Sequence, residues 1–403
     1  MTEPHPFRAA GRLVDFMRQA DEPGLINLAA GVPGLDSLPT EELQAAFTSA
    51  FAKDGAKMFA YHHPEGDHAL RELLAARLQA RGAAMSGPQL VTVTGCTQGV
   101  QLLISILVRP GDIVAVESPA YYGMLEVLSA AGARVLPLPI AGPHGFDLDT
   151  TEELLARWKP RALIVCAALS NPSGVTLPEE KRPRLVEMCR GPWRAPHRRR
   201  HLWGTHRGWR SAQPARLGRW LDRELRLEFF QDRVARPARR RVRAGDALRG
   251  FSAARKCQQD LHSAVVSEVA LREFLAADAL DPHLARLRPR NAHRRALALD
   301  AIARAFPQGT RANPPRGGYM LWAELPRPVD LAQVRDTARR ERIVFGAGPV
   351  FYTEPQPTSS LRLNCAKASE SELVSGLETL AQSSVRRSGG ESDQALLASP
   401  CAK

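Results

Sequence analysis

Apolar residues in the first half of the chain follow two alternating patterns. Short continuous apolar runs closed by Gly, Ser or Pro are typical of strands buried on both faces, and apolar residues three and four positions apart predict helices. The predicted strands cover 89–95, 112–118, 134–140 and 161–169, and the predicted helices cover 70–82, 99–108, 121–132 and 178–189. Strands that alternate with helices of this length indicate an α/β fold with a mostly parallel, doubly wound sheet.

Regular patterning resumes after residue 245 and predicts a second, smaller α/β domain. Strands are predicted at 317–326 and 359–366, with a closing helix at 371–382. We expect an N-terminal arm with part of the small domain at 1–45, a large domain at 46–280, the small domain at 281–383 and a disordered tail at 384–403. No apolar run approaches the roughly 20 residues that span a bilayer, which makes a cytoplasmic protein the simplest expectation.

The positive charge of the chain is concentrated in one segment. The formal net charge is +13, and residues 190–243 hold 17 arginines, no lysine and four acidic residues, so the rest of the chain is neutral. The overall charge is therefore no argument that the whole protein binds a polyanion. The six cysteines are far apart and form no CxxC pair, which argues against both a zinc site and a disulfide framework.

Four short motifs follow predicted strands or lie within one. TGCTQGVQ (94–101) precedes a helix and can bind a phosphate through backbone N–H groups, and ESPAYYG (117–123) brings Tyr121 or Tyr122 to the same sheet edge. SNPSGV (170–175) supplies Asn171, and Arg362 lies inside an apolar strand, where it needs an anionic partner. Each motif taken alone also fits an ordinary capped turn, core tyrosine, Asn-Pro turn or internal ion pair.

In this order the four motifs resemble those of the fold-type-I, class I/II pyridoxal-phosphate aminotransferases, in particular the 2-aminoadipate and kynurenine aminotransferase-like branch. The segments 26–39, 61–82, 314–326 and 344–352 resemble that family as well. The resemblance covers roughly 25–190 and 245–382. Similar domains also form the effector half of some bacterial transcription regulators.

The resemblance implies amino-group transfer from an amino acid to a 2-oxo acid, with pyridoxal 5′-phosphate as cofactor. It implies that the cofactor phosphate is held by Cys96, Thr97 and Gln98, that Tyr121 stacks on the pyridine ring, and that Asn171 bonds the phenolic oxygen. Tyr61 would reach the phosphate of the neighbouring subunit, which implies a homodimer. Arg362 would bind the α-carboxylate of the substrate, and Gly31 would lie in the N-terminal substrate segment.

The chain departs from the family between Asn171 and residue 250. The family has an acid-x-Tyr strand end there, which keeps the pyridine nitrogen protonated, and a lysine that forms the Schiff base. Neither motif occurs in 191–241, an arginine-rich segment that we call the aberrant window. We therefore expect no catalytic lysine and negligible transamination. Lys256, the nearest lysine, is expected to be a solvated surface charge that does not replace it.

A shifted reading frame explains the aberrant window. Read one base later, the codons of PHRRRHLWG (196–204) can encode L-I-V-D-D-I-Y-G, and those of EFFQDRVARPARR (228–240) can encode S-S-F-K-T-V-S-P-G-L-R-V. Both missing motifs then appear in one frame and in the family's order. The hypothesis is a frameshift near Gly191 that is compensated near Arg241, and it leaves open whether this is a reading error or a lesion in the gene.

Other functions share parts of this pattern. An arginine-rich insert could bind nucleic acid through HRRRH and RPARRR, but it would add residues to the fold and not replace the catalytic centre. A non-catalytic ligand-binding or regulatory protein of the same fold is the second alternative. β-Lyase and decarboxylase chemistry use the same motifs, and the sequence does not identify the amino-acid donor.

Overall fold

The computed structural model describes residues 3–6, 22–83, 85–140, 142, 145, 147–189, 201–204, 229–230, 252–354 and 358–385. Its strands are β1 (His5–Pro6), β2 (Ile26–Asn27), β3 (Ile113–Ser118), β4 (Arg134–Pro139), β5 (Ala162–Val165), β6 (His201–Gly204), β7 (Phe229–Phe230), β8 (Arg311–Asn313), β9 (Met320–Glu324), β10 (Ile343–Val344), β11 (Gly346–Ala347) and β12 (Ser360–Asn364). Its helices are α1 (Thr40–Asp54), α2 (His68–Gln79), α3 (Gly95–Leu107), α4 (Tyr122–Ala130), α5 (Leu148–Trp158), α6 (Arg182–Met188), α7 (252–259), α8 (Val265–Ala276), α9 (Leu280–Ala305), α10 (Leu331–Arg340) and α11 (Glu370–Val385).

The larger sheet has the order β1-β4-β3-β5-β6-β7. Strands β4, β3, β5 and β6 run parallel, and β1 and β7 pair antiparallel at the two edges. Helices connect the parallel strands, as a parallel sheet requires. The predicted α/β fold with a mostly parallel sheet is therefore confirmed.

Alternate residues of the central strands enter two cores, one on each face of the larger sheet. Val114, Val116 and Ile164 pack with residues of α3 and α4. Ala115 and Leu163 pack with residues of α5 and α6. This double burial explains why the strands are apolar throughout and do not alternate with polar residues.

A smaller antiparallel sheet has the order β11-β12-β9-β8, and a separate parallel pair joins β10 to β2. The core beside this sheet includes residues of α9, α10 and α11. Helix α9 contributes to two cores, because Leu284 near its start packs with residues of α2 and α8 while Ile302 near its end packs beside the smaller sheet.

Two predicted elements differ from the structure. The strand predicted at 89–95 is wrong: Gly87–Gln89 form a 3-10 turn, residues 90–94 belong to no strand, and α3 begins at Gly95. A strand needs a hydrogen-bonded neighbour, and none of the described strands pairs with this segment. Helix α11 continues to Val385, into the tail predicted as disordered, and 386–403 lie outside the described residues.

The packing of α5 gives a test of the larger sheet's core. Leu155 is fully buried, whereas Glu153 on the same helix is exposed. We expect Leu155→Ala to lower the free energy of unfolding by about 2–5 kcal/mol, because the surrounding side chains cannot fill the cavity. Glu153→Ala is the matched control and should change that free energy by less than about 0.5 kcal/mol. Equal effects of the two variants in urea denaturation would contradict the described core.

Candidate active site

The carboxyl ends of β3 and β5 lie side by side, because these parallel strands pair from Val114–Ala162 to Val116–Ile164. The turn that carries Tyr121 follows β3, and the turn that carries Asn171 follows β5. Both turns contain a cis peptide bond, at Ser118–Pro119 and Asn171–Pro172. The edge of a parallel sheet at its carboxyl ends is where such folds bind ligands.

Arg362 of β12 reaches this edge from the smaller sheet. Its side chain is fully buried, with Nη1 donating to Asn171 Oδ1 at 3.0 Å and Nη2 donating to the backbone oxygen of Ala29 at 2.6 Å. The guanidinium carbon lies 4.7 Å from the ring centre of Phe351 and 5.5 Å from that of Tyr122. The structure thus brings together the two residues predicted to bind the substrate carboxylate and the cofactor oxygen.

The two adjacent tyrosines have different environments. Tyr122 is buried and packs against Phe351, with ring centres 5.6 Å apart, so it forms part of the wall around Arg362. Tyr121 is half-buried and lies 5.0 Å from the Tyr122 ring centre. A Cβ at Gly123 would lie 2.6–2.8 Å from atoms of the Tyr121 side chain, so the glycine leaves room for that ring. Tyr121 is therefore the more exposed of the two adjacent tyrosines.

The turn at 94–98 forms the start of α3. Gly95 has a φ of +81°, which favours glycine, and nothing lies within 4 Å of where its Cβ would be. Cys96 is buried, Thr97 is exposed, and Gln98 is half-buried. The first N–H groups of a helix lack intrahelical acceptors and favour an anion. The predicted phosphate-binding residues thus lie at a helix N-terminus that is open beside Gly95.

The side chain of Gln98 bonds within the protein. Its Oε1 accepts from the backbone N–H of Thr94 at 2.6 Å, and its Nε2 donates to Asp260 Oδ2 at 2.5 Å. Both ends of the amide therefore have protein partners. Gln98 can still offer its backbone to a phosphate, while its side chain fixes the turn.

The N-terminal substrate segment is fixed to the smaller sheet. Asn364 Nδ2 donates to the backbone oxygens of Ala30 and, at 2.7 Å, of Val32, while the Tyr319 hydroxyl donates to the oxygen of Gly31 at 3.2 Å. Arg362 and Asn364 are two positions apart on β12 and therefore share one face of the strand. The predicted substrate residue Gly31 is thereby held beside the site by side chains that sequence reasoning missed.

Tyr61, predicted to act in a neighbouring subunit, is 85% exposed. Its ring meets that of His262 edge-on, with centres 5.9 Å apart. Other large apolar side chains are exposed on the described surface of the chain, namely Val32, Leu35, Phe47, Phe51, Phe59 and Leu261.

Glu117 at the end of β3 is a buried acid that sequence reasoning missed. Its carboxyl accepts from Ser170 Oγ at 2.9 Å and from the backbone N–H of Cys166 at 3.1 Å, so it links β3 to the segment that leads to Asn171. Burial raises the pKa of the Glu117 carboxyl to about 8, although both hydrogen bonds act in the opposite direction. An acid that closes an apolar strand was the available signal in the sequence.

The expectation that Lys256 is a solvated surface charge is wrong. Its side chain is fully buried, and its Nζ lies 2.9 and 3.1 Å from the two carboxylate oxygens of Asp260. Ser252 and Ala253, on the same side of α7, are buried as well. The spacing of four residues between lysine and aspartate was the sequence signal for this ion pair.

Within the aberrant window, the structure describes only the backbone of β6 and β7. Strand β6 pairs in parallel with β5, from Ala162–His201 to Val165–Gly204. It therefore occupies the sheet position next to the strand that leads to Asn171. The predicted absence of a catalytic lysine and of the acid-x-Tyr motif concerns side chains outside the described residues, and so does the frameshift hypothesis.

Part of the chain matches a known family, and most of it aligns with individual proteins at lower identity. The family model of class I and II aminotransferases matches residues 23–192 and ends where the aberrant window begins. The 2-aminoadipate transaminase of Thermus thermophilus is 26% identical over 387 residues, which cover 92% of this chain and 93% of the relative. An uncharacterized HTH-type transcriptional regulator of Escherichia coli is 23% identical over 365 residues, covering 88% of this chain and 76% of the relative.

The structure superposes on that of α-aminoadipate aminotransferase from Thermus thermophilus, complexed with N-(5′-phosphopyridoxyl)-L-leucine. The TM-score is 0.76 at 23% identity, and the match covers 94% of this chain and 96% of the other. This similarity shows the fold. No helix among the described residues is both long and apolar enough to cross a membrane.

The raised pKa of Glu117 predicts a pH-dependent stability. Between the ordinary value of 4.5 and about 8, the folded protein keeps a proton that the unfolded chain releases, so stability falls as pH rises through this range. We expect the free energy of unfolding to fall by a few kcal/mol between about pH 5 and pH 8, at up to about 1.4 kcal/mol per unit. Glu117→Gln should remove this slope, and exposed Glu153→Gln should keep it. A slope that survives in Glu117→Gln would contradict the assignment.

Proposed function

We propose that the chain, whose residues 23–192 match the class I and II aminotransferases, holds the substrate- and cofactor-binding half of an amino-acid transaminase site. The family reaction moves an amino group from an amino acid to a 2-oxo acid. The chain as its sequence stands performs it negligibly, because the aberrant window has no lysine. Substrate and cofactor binding would use residues that are described. Proton transfer would need a lysine, which the aberrant window lacks.

The observation that carries the proposal is the hydrogen bond between Arg362 and Asn171. The planar donor fork of a guanidinium suits a carboxylate, and this one is buried beside two aromatic rings near the carboxyl ends of the strands. Asn171 beside it is placed to orient an oxygen of a flat ligand. One end of an amino acid and one edge of a cofactor can therefore be held in contact.

The residues present fit pyridoxal 5′-phosphate in its binding contacts. Cys96, Thr97 and Gln98 would hold its phosphate at the open start of α3, Tyr121 would lie against its ring, and Asn171 would bond its phenolic oxygen. When bound, this cofactor serves as an electron sink for the substrate's Cα bonds. Arg362 and the segment around Gly31 would hold the substrate carboxylate.

The missing half falls in the aberrant window, and we propose that a frameshift displaced it. Two findings support this proposal: the family match ends at residue 192, and β6, whose codons can encode the acid-x-Tyr motif in the next frame, pairs with β5. No lysine lies between Lys181 and Lys256. A lysine is needed to move the proton at the substrate Cα.

We further propose that the chain acts as a homodimer in the cytoplasm. Phe51 and Phe59 form an exposed ring pair with centres 6.0 Å apart, and Leu35 and Tyr61 are also largely exposed. Phe51 and Phe59, in ring contact with each other, leave apolar surface exposed, as is typical of a subunit interface. The described cysteines are not in disulfide bonds, as is usual in a reducing compartment.

A regulatory function is the second candidate, and the similarity to HTH-type transcriptional regulators favours it. In that case the site would bind its ligand without turnover. The chain as its sequence stands would then need only the contacts described above, and it would bind the cofactor without covalent attachment.

Borohydride reduction tests the proposed loss of catalysis. It converts a lysine–pyridoxal phosphate linkage into a stable adduct that peptide mass spectrometry locates. We expect no stoichiometric adduct in the chain as its sequence stands. A matched chain whose aberrant window is replaced by the shifted reading should carry the adduct on the restored lysine. Stoichiometric labelling of an existing lysine such as Lys256, together with turnover, would contradict the proposal.

The dimer is tested by sedimentation. We expect Phe59→Lys to weaken or abolish the dimer, because it places a charge on an apolar surface that the partner covers. Glu153→Lys, on the exposed side of α5, is the control and should leave the dimer intact. A wild-type chain that sediments as a monomer at micromolar concentration would rule the homodimer out.

A further inference from the structure

The ammonium group of Lys256 is deeply buried. The lysine side chain has no exposed surface, whereas that of Asp260, which pairs with it, is 26% exposed. A charge removed from water is tolerated only when it is paired and hydrogen-bonded. The lysine and the aspartate therefore form a defined unit, in which the carboxylate supplies the charge that the buried ammonium needs.

Asp260 connects this ion pair to the turn at the start of α3. Its Oδ2 accepts from Gln98 Nε2 at 2.5 Å, and Gln98 Oε1 in turn accepts from the backbone N–H of Thr94 at 2.6 Å. The orientation of the Gln98 amide follows from these two bonds, because exchanging its oxygen and nitrogen would break both. A continuous path thus runs from Lys256 to the backbone of the turn.

We propose that Lys256 is a positioning residue for anion binding at the turn 94–98. It neutralises Asp260, which would otherwise repel an anion, and it holds Asp260 where that carboxylate fixes Gln98. The inference rests on the proposed function, in which the anion is the cofactor's phosphate. Lys256 makes no contact with the phosphate in this arrangement and does not replace the missing catalytic lysine.

An electrostatic role predicts whether each variant weakens or strengthens phosphate binding, whereas a packing role predicts no such direction. With lysine removed, a carboxylate one side chain away from the turn is left uncompensated and disfavours the phosphate. With Asp260 also changed to a neutral amide, that repulsion disappears, while the amide oxygen can still accept from Gln98. With only the aspartate made neutral, the buried ammonium attracts the phosphate more strongly.

The test compares pyridoxamine 5′-phosphate with pyridoxamine, two probes that differ in the phosphate and form no linkage to lysine. Calorimetric titration gives both dissociation constants, and the preference for the phosphorylated probe, expressed as their ratio, isolates the phosphate contribution from ring contacts. We expect Lys256→Met to lower this preference by about tenfold, the order of effect of one unpaired charge near the turn at an effective dielectric constant of about 20. Lys256→Met/Asp260→Asn should recover most of the loss, and Asp260→Asn alone should raise the preference.

Lys53→Met is the matched control, because Lys53 pairs with Glu273 away from the turn and is largely exposed. It should leave the preference unchanged. A preference that stays at the wild-type value in Lys256→Met, or a double variant no better than the single one, overturns the inference. If Lys256→Met fails to fold, a preference that does not rise in Asp260→Asn overturns it. A wild-type chain that does not prefer the phosphorylated probe contradicts the proposed cofactor site itself.

Discussion

The burial of Arg362 is the constraint on which the site depends. A guanidinium with no exposed surface must have its hydrogen bonds made by the protein or by a ligand. Here the bonds come from opposite parts of the chain, since Ala29 precedes the larger sheet's parallel strands and Asn171 follows strand β5. The aromatic faces of Tyr122 and Phe351 close the remaining sides. The smaller sheet, the N-terminal segment and the larger sheet are therefore joined at the point where a carboxylate would bind.

The proposed function separates two tasks, binding and proton transfer. The proposed binding residues come from 29–32, 94–98, 121, 171 and 362, all in well-patterned sequence. The groups that would carry protons come from the strand and turn that the aberrant window replaces. Because the two tasks would use different segments, loss of the catalytic segment would leave the proposed binding residues in place.

The sequence predicted the parallel sheet well, because strands buried on both faces read as continuous apolar runs. It failed at 89–95, where pairing decides whether an extended segment becomes a strand. It also failed at Lys256: the spacing of four residues indicated Asp260 as a partner, but burial of a charged side chain depends on neighbouring elements that no local pattern reveals. Glu117 was missed for the same reason. The motif ESPAYYG by itself left Tyr121 and Tyr122 equally open, and the resemblance implied Tyr121. Packing against Phe351 places Tyr122 in the wall around Arg362. The predicted domain boundaries stay predictions.

The central claim is that the aberrant window is a displaced reading of a catalytic segment. The most direct test is to sequence the gene on both strands across the codons for residues 185–248. The account predicts that the next frame of this stretch encodes an acid-x-Tyr motif and a lysine, with a single-base insertion or deletion near Gly191 and a compensating one near Arg241 marking the boundaries of the shift. A gene that encodes the arginine-rich segment without such changes, and whose next frame lacks those motifs, would contradict it.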